Sequence, residues 1–69
     1  VEFFPGDRQQ LATLGPVAAL AAASGWRVAV LVPTERMGDA HMSLRGFPLH
    51  LQSWWPEGDH IRFGGPEVP

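Results

Sequence analysis

The spacing of hydrophobic residues predicts one convincing helix, from Arg8 to Ser24. Apolar residues recur there three or four positions apart, as they do when one side of a helix faces a core. Asp7 is a good N-terminal cap and Gly25 a good left-handed C-terminal cap. Pro16 lacks an amide hydrogen, so we expect a kink or two helical pieces. The predicted apolar stripe comprises Leu11, Leu14, Val17, Ala18, Leu20, Ala21 and Ala22.

The rest of the pattern predicts strands. Residues 1–4 are mostly β-favouring. Residues 26–32 are continuously apolar after their second position, which is expected of a central strand that is covered on both faces, or covered on one face and in contact with a partner on the other. From Ala40 onward apolar and polar residues alternate, so we expect strands up to residue 63, with a turn or bulge at Gly46. Pro48 cannot donate to a sheet hydrogen bond, which places its strand at an edge or at a bulge.

This order of elements, β-α-β-β-β-β, predicts an α+β fold. We expect a two-layer sandwich in which one helix packs on a mainly antiparallel sheet of four to five strands. The first two strands are joined through the helix, so they should be parallel. One helix covers only one face of such a sheet, and either water or a second copy of the chain covers the other. We assign residues 1–63 to the domain and residues 64–69 to a loosely ordered tail.

Composition narrows the possible functions. The 69 residues include no cysteine, so disulfides and thiol chemistry are excluded, and we expect a cytoplasmic protein. The longest apolar run, Val28 to Val32, is too short to span a membrane. A small domain without disulfides often gains stability by self-association, so we expect a homodimer. The absence of asparagine and cysteine fits a thermophile, and a GC-rich genome accounts equally well for an arginine-only, lysine-free chain.

No residue set compels a catalytic assignment. Without lysine, a Schiff base or a P-loop lysine is impossible. Neither Ser43 nor Ser53 lies in a Gly-x-Ser-x-Gly context, and no glycine-rich phosphate loop is present. We therefore predict no catalytic residue, no cofactor and a non-enzymatic protein.

Polar residues on the last predicted hairpin could bind a small ligand. If Leu49, Leu51, Ile61 and Phe63 face the helix, the alternating residues share the opposite face. A guanidinium, two imidazoles and an indole together suit an anionic or aromatic ligand. Ordinary alternation on a half-exposed sheet accounts for the same pattern more economically. The candidate ligand residues are His50, Gln52, Trp54, His60 and Arg62.

Three histidines invite a test for metal binding. His41, His50 and His60 are accompanied by Asp39 and Asp59, and imidazole with carboxylate suits zinc or another transition metal. No pair has a local ligand spacing such as His-x-x-x-His, and Gly-Asp pairs are explained by turns. We assign no metal site, and metal binding is kept as an alternative.

The adjacent tryptophans are the most unusual local feature. Trp54 and Trp55 should point to opposite faces of a strand, and an exposed tryptophan makes a good interface anchor. Both could equally be aromatic residues that cap the core. Our first hypothesis is an interaction module that dimerises through a sheet edge or face. The candidate interface residues are Val28, Val30, Val32, Trp54 and Trp55.

Nucleic-acid binding is a weaker alternative. The formal net charge is −2, with five basic and seven acidic residues, whereas nucleic-acid binders concentrate positive charge. This alternative requires the fold to gather Arg27, Arg45 and Arg62 on one face.

The make-up of the whole chain resembles one group of small proteins. The residues that carry the resemblance include Gly25-Trp26-Arg27-Val28-Ala29-Val30-Leu31-Val32 and Ser53-Trp54-Trp55-Pro56. Together with the lysine-free, arginine- and proline-rich composition, they are similar to short uncharacterised proteins of the Deinococcus–Thermus group. These are domains of unknown function, so the resemblance implies no catalytic residues.

Overall fold

Four strands and two α-helices form the protein, and the computed structural model describes residues 1–69. A short 3-10 turn, Thr34–Arg36, leads into the second helix. The elements are β1 (Glu2–Phe3), α1 (Arg8–Ala23), β2 (Ala29–Pro33), α2 (Met37–Ser43), β3 (His50–Glu57) and β4 (His60–Phe63). No helix is long and apolar enough to cross a membrane.

The sheet is mixed, with strand order β1-β2-β3-β4. β1 and β2 are parallel, as predicted, but β2 and β3 are also parallel, and only β3 and β4 form an antiparallel pair. The α+β class is confirmed, whereas the mainly antiparallel sheet and a fifth strand are not. The reason is the helical segment between β2 and β3, which returns the chain to the end of the sheet where β2 began.

The helix α2 occupies the stretch in which alternation predicted a strand. Met37, Ala40 and Leu44 are spaced by three and four residues, and Ala40 and Leu44 are completely buried. Met42, which the alternating pattern placed on an apolar face, is 76% exposed. Ala40 and Leu44 fit both periodicities, and the exposure of Met42 together with the packing of Met37 against the core follows the helical one.

The first helix has the predicted ends. The Asp7 side chain accepts a hydrogen bond from the amide of Gln10 at 2.8 Å. At the other end Gly25 has a φ of 88°, and the amides of Gly25 and Trp26 donate to carbonyls of the last helical turn. The helix continues through Pro16 without dividing. Its stripe is narrower than predicted, because Val17 and Leu20 are exposed.

Both helices pack on the same face of the sheet. The core joins Leu11 and Ala18 of α1, Ala40 of α2 and Leu44 directly after α2 to the sheet. Right-handed crossovers that advance in one direction across a sheet place their helices on one face, and the strand order shows this advance. The strand residues in the core are Val28, Val30, Val32, Leu49 and Leu51. The opposite face, which we call the open face, has no covering layer.

Phe47 and a glycine fit closely where the loop before β3 meets α1. A Cβ atom added to the buried Gly15 would lie 2.6 Å from the Phe47 ring. Gly46, with a φ of 85°, forms the turn that brings this ring over the helix. Pro48 precedes β3, so it interrupts no ladder, and β3 is an inner strand.

Residues beyond 63 also contact the sheet. Glu67 and Leu51 exchange two backbone hydrogen bonds of 2.7 Å, and the Glu67 carboxylate lies 2.8 Å from His41 Nε2. The assignment of residues 64–69 to a loosely ordered tail stays a prediction, and these contacts give the segment a definite course along β3.

Candidate functional site

The strand register decides which side chains lie on the open face. Val30 pairs with Leu51, and both are buried under the helices. Because side chains alternate along a strand, the residues on either side of them point the other way. The inner strands therefore present Ala29, Leu31, His50, Gln52 and Trp54 to the open face.

The pairing of β4 corrects one assumption about the hairpin. Phe63 lies opposite Trp54, and Ile61 lies opposite Pro56, and residues directly opposite each other share a face. Ile61 and Phe63 therefore lie on the open face and not towards the helices. Trp54 itself is half-buried.

Five hydrophobic residues form one surface at the carboxyl end of β3, which we call the aromatic patch. Three of them are more than half exposed: Phe4 is 63% exposed, and Ile61 and Phe63 are each 53% exposed. Phe4, Trp54, Ile61 and Phe63 line a depression of about 250 Å³. Leu31 is 3% exposed although no helix lies above it, because neighbours on the open face surround it. The aromatic patch consists of Phe4, Leu31, Trp54, Ile61 and Phe63.

The five candidate ligand residues are divided between the two faces. His50, Gln52 and Trp54 lie on the open face, whereas His60 and Arg62 alternate with Ile61 and point the other way. His60 pairs with Glu57, seven residues along β3 from His50, so the two histidines lie roughly 23 Å apart. The set cannot act as one site.

No group of three or more potential metal-ligating side chains comes together. His41 contacts Glu67, and His60 lies 3.4 Å from Asp59. Asp39 lies 3.4 Å from Arg8 and also contacts Arg36. The carboxylates that accompany the histidines in sequence are therefore distributed over separate ion pairs.

A second concave surface lies on the open face, at the amino ends of β2 and β3. Its volume is about 700 Å³, and we call it the polar cleft. Arg27, His50 and Gln52 contribute polar groups, and the Gln52 side chain is held by a 2.9 Å hydrogen bond to the Gly64 carbonyl. The cleft is also lined by Glu2, Trp26, Pro48 and Pro66.

Three of the five candidate interface residues lie inside the protein. Val28, Val30 and Val32 are at most 4% exposed and belong to the core, so they are not accessible to a second chain. Trp54 and Trp55 occupy opposite faces of β3, and neither is buried, since Trp55 is 36% exposed. Of this set, only Trp54 contributes to the aromatic patch.

The arginines required for a nucleic-acid surface are not gathered on one face. Arg27 lines the polar cleft, whereas Arg62 lies on the other side of the sheet and contacts Glu57 at 3.6 Å. No continuous basic surface connects them across the sheet.

No protein-family model, curated protein or solved structure matches this chain. The resemblance to Deinococcus–Thermus proteins therefore stays a prediction.

Sequence reasoning missed most of the aromatic patch. Ile61 and Phe63 were placed on the wrong face, and Phe4 was treated only as part of a strand. The available signal was the length of the turn, because the pairing of Glu57 with His60 fixes which residues of β4 face Trp54.

Proposed function

We propose that this chain is a non-enzymatic interaction module that forms a homodimer through the aromatic patch. The observation that carries the proposal is the depression lined only by Phe4, Trp54, Ile61 and Phe63 on a sheet face with no covering layer. Three of these side chains are more than half exposed. Their contact with water is unfavourable, and burial against an apolar surface would remove it.

A second copy of the chain is the occupant we propose, and a stable dimer sets the area that the contact must bury. A standard interface buries about 800 Å² on each partner. That is about a sixth of the 4607 Å² that this chain exposes. The aromatic patch would form the centre of such a contact at one end of the open face, and the β4 edge beside it can extend the contact.

Two-fold symmetry also suits the distribution of polarity along the open face. An axis parallel to the strands brings the same ends of two sheets together, so aromatic patch meets aromatic patch. This arrangement places β1 of one copy over β4 of the other, so that Phe4 packs against Ile61 and Phe63 of its partner. The patch contains no charged residue, and its self-contact therefore buries no like charges.

The lack of cysteine supports a cytoplasmic setting for this dimer, because the fold needs no oxidising compartment. No observation favours the metal or nucleic-acid alternatives over the dimer.

Sedimentation equilibrium at micromolar concentration tests the proposal with a matched pair of variants. Phe63→Arg introduces a charge into the aromatic patch, and Leu20→Arg introduces the same charge at a residue of α1 that is 72% exposed. We expect wild type and Leu20→Arg to be dimers. In Phe63→Arg the dimer should weaken by about 2 kcal/mol or more, which is roughly thirtyfold in Kd.

Circular dichroism must show that both variants are folded. A monomeric wild type at these concentrations contradicts the proposal. Undiminished dimerisation of Phe63→Arg also contradicts it, and indicates pairing through the backbone of the β4 edge instead.

A further inference from the structure

Five of the eight arginine and histidine side chains of this chain lie beside a carboxylate, and two of the three exceptions line the same cleft. His41 and His60 each lie beside a carboxylate, at 2.8 and 3.4 Å, whereas His50 has no such partner. Three of the five arginines likewise contact a carboxylate: Arg8, Arg36 and Arg62. Arg27 and Arg45 do not, and Arg27 lines the same cleft as His50.

The strand register places these two unpartnered groups on the same face of neighbouring chain segments, diagonally across from each other. Ala29 pairs with His50, and Arg27 lies two residues before Ala29 on the same face of the sheet. The amide of His50 donates to the Val28 carbonyl at 3.0 Å, which fixes the two backbones relative to each other. A guanidinium offers five N–H donors, and an imidazole offers at least one in either protonation state.

The walls of the cleft supply a flat apolar surface and a rigid boundary. Trp26 is 63% exposed, and it lies at the rim between this cleft and a depression beside the end of α1. Pro48 and Pro66 have restricted backbones. Pro66 is held in place because its neighbour Glu67 is hydrogen-bonded to β3 through two 2.7 Å bonds.

We propose that the polar cleft binds a small organic anion that carries a planar group. Arg27 and His50 donate to the anionic oxygens, and the planar group stacks on Trp26. Glu2 lines the same cleft without forming an ion pair with Arg27, so its carboxylate opposes a bound anion. This proposal does not rest on the dimer: the cleft and the aromatic patch occupy opposite ends of the open face, and the Phe63→Arg variant presents the cleft with the proposed dimer contact removed.

Three probes separate the contributions of charge and of the ring. Benzoate and phenyl phosphate carry both features, and inorganic phosphate carries only the charge. Binding is followed by the histidine ring resonances and by the backbone amide of Ala29. We expect benzoate or phenyl phosphate at millimolar concentration to shift His50 and Ala29 but not His60. Binding should weaken as salt rises. Which of the two aromatic anions binds more tightly distinguishes a carboxylate ligand from a phosphate ligand.

Variants assign the interaction to individual side chains. Arg27→Gln should weaken binding by about tenfold or more, whereas Arg45→Gln, which removes the other unpaired arginine, should leave it unchanged. Glu2→Gln should tighten binding by a few-fold. Trp26→Leu should abolish the preference for benzoate or phenyl phosphate over inorganic phosphate.

Two results would overturn the proposal. One is the absence of any shift at His50 with all three probes, and the other is equal binding by the Arg27→Gln and Arg45→Gln proteins. The titrations are repeated on Phe63→Arg, which removes the proposed dimer contact, so that failure of the cleft and failure of the dimer are separate outcomes.

Discussion

The two faces of the sheet differ, although the same strands form both. On one face Val30 and Leu51 are completely buried beneath α1 and α2. On the other, Phe63 and its neighbours remain half exposed, and polar groups collect at one end. The covered face holds the fold together by burial. The open face leaves more of its hydrophobic surface exposed, so we expect it to contribute less to folding.

The direction of the crossovers produces this difference. A doubly wound sheet reverses direction and receives helices on both faces, whereas β1, β2 and β3 follow each other in one direction. After β3 the chain forms a hairpin with β4 and no third helix. The bare face is thus a consequence of topology, and its composition determines what can occupy it.

The largest expected effect is the difference between two truncations, one on each face of the sheet. Leu51→Ala should lower the free energy of unfolding by about 2–5 kcal/mol, because it leaves a cavity in a fully packed core. This is comparable with the whole stability of a small domain. Phe63→Ala should cost less than about 1 kcal/mol in the monomer, because half of its ring is already in water.

Urea unfolding followed by circular dichroism measures both values, at a concentration low enough to keep the chains monomeric. Equal losses for Leu51→Ala and Phe63→Ala would show that the open face contributes to folding as much as the covered one.

The covered face was predictable in part. The spacing in α1, the Asp7 cap and the Gly25 terminus each depend on local rules, and each is observed. The second helix was not recognised, because its seven residues fit a period of two as well as helical spacing. The exposure of Met42, which a strand would place on the same face as the buried Ala40 and Leu44, distinguishes the two, and only the tertiary structure shows it.

The open face was less predictable, since it depends on register. A shift of one residue moves every side chain of a strand to the other face, and the sequence does not state the shift. This is why His60 and Arg62 were grouped with His50, and why Phe63 was assigned to the helix side. The polar cleft additionally joins residues from β1, β2 and the chain end, which no local pattern relates.

A second, smaller effect tests how closely the helical layer fits. Alanine normally favours a helix over glycine by about 1 kcal/mol. Gly15→Ala should nevertheless destabilise the protein by roughly 1–3 kcal/mol. The added methyl group would lie 2.6 Å from the Phe47 ring, so the ring must move to relieve the overpacking. Gly38→Ala is the matched control in α2, where no atom lies within 4 Å, and it should be neutral or stabilising by up to about 1 kcal/mol.

Thermal and urea unfolding compare these variants, and Phe47→Leu in the Gly15→Ala background should recover part of the loss. If Gly15→Ala stabilises the protein as much as Gly38→Ala does, the layer above the sheet is looser than the contact with Phe47 implies.

The smallest expected effect concerns the tip of the hairpin, which extends past the helices and is exposed on both sides. Glu57 and Arg62 lie 3.6 Å apart on the helix side of the sheet, with side chains 61% and 57% exposed. Water and salt screen such a pair, so a double-mutant cycle of Glu57→Gln and Arg62→Gln should give a coupling below about 0.5 kcal/mol. The ion pair between Arg8 and Asp39 links α1 to α2, and a double-mutant cycle of Arg8→Gln and Asp39→Asn gives the coupling energy for comparison within the helical layer. A larger coupling at the tip than between the helices would mean that the hairpin is stabilised independently of the layer that covers the rest of the sheet.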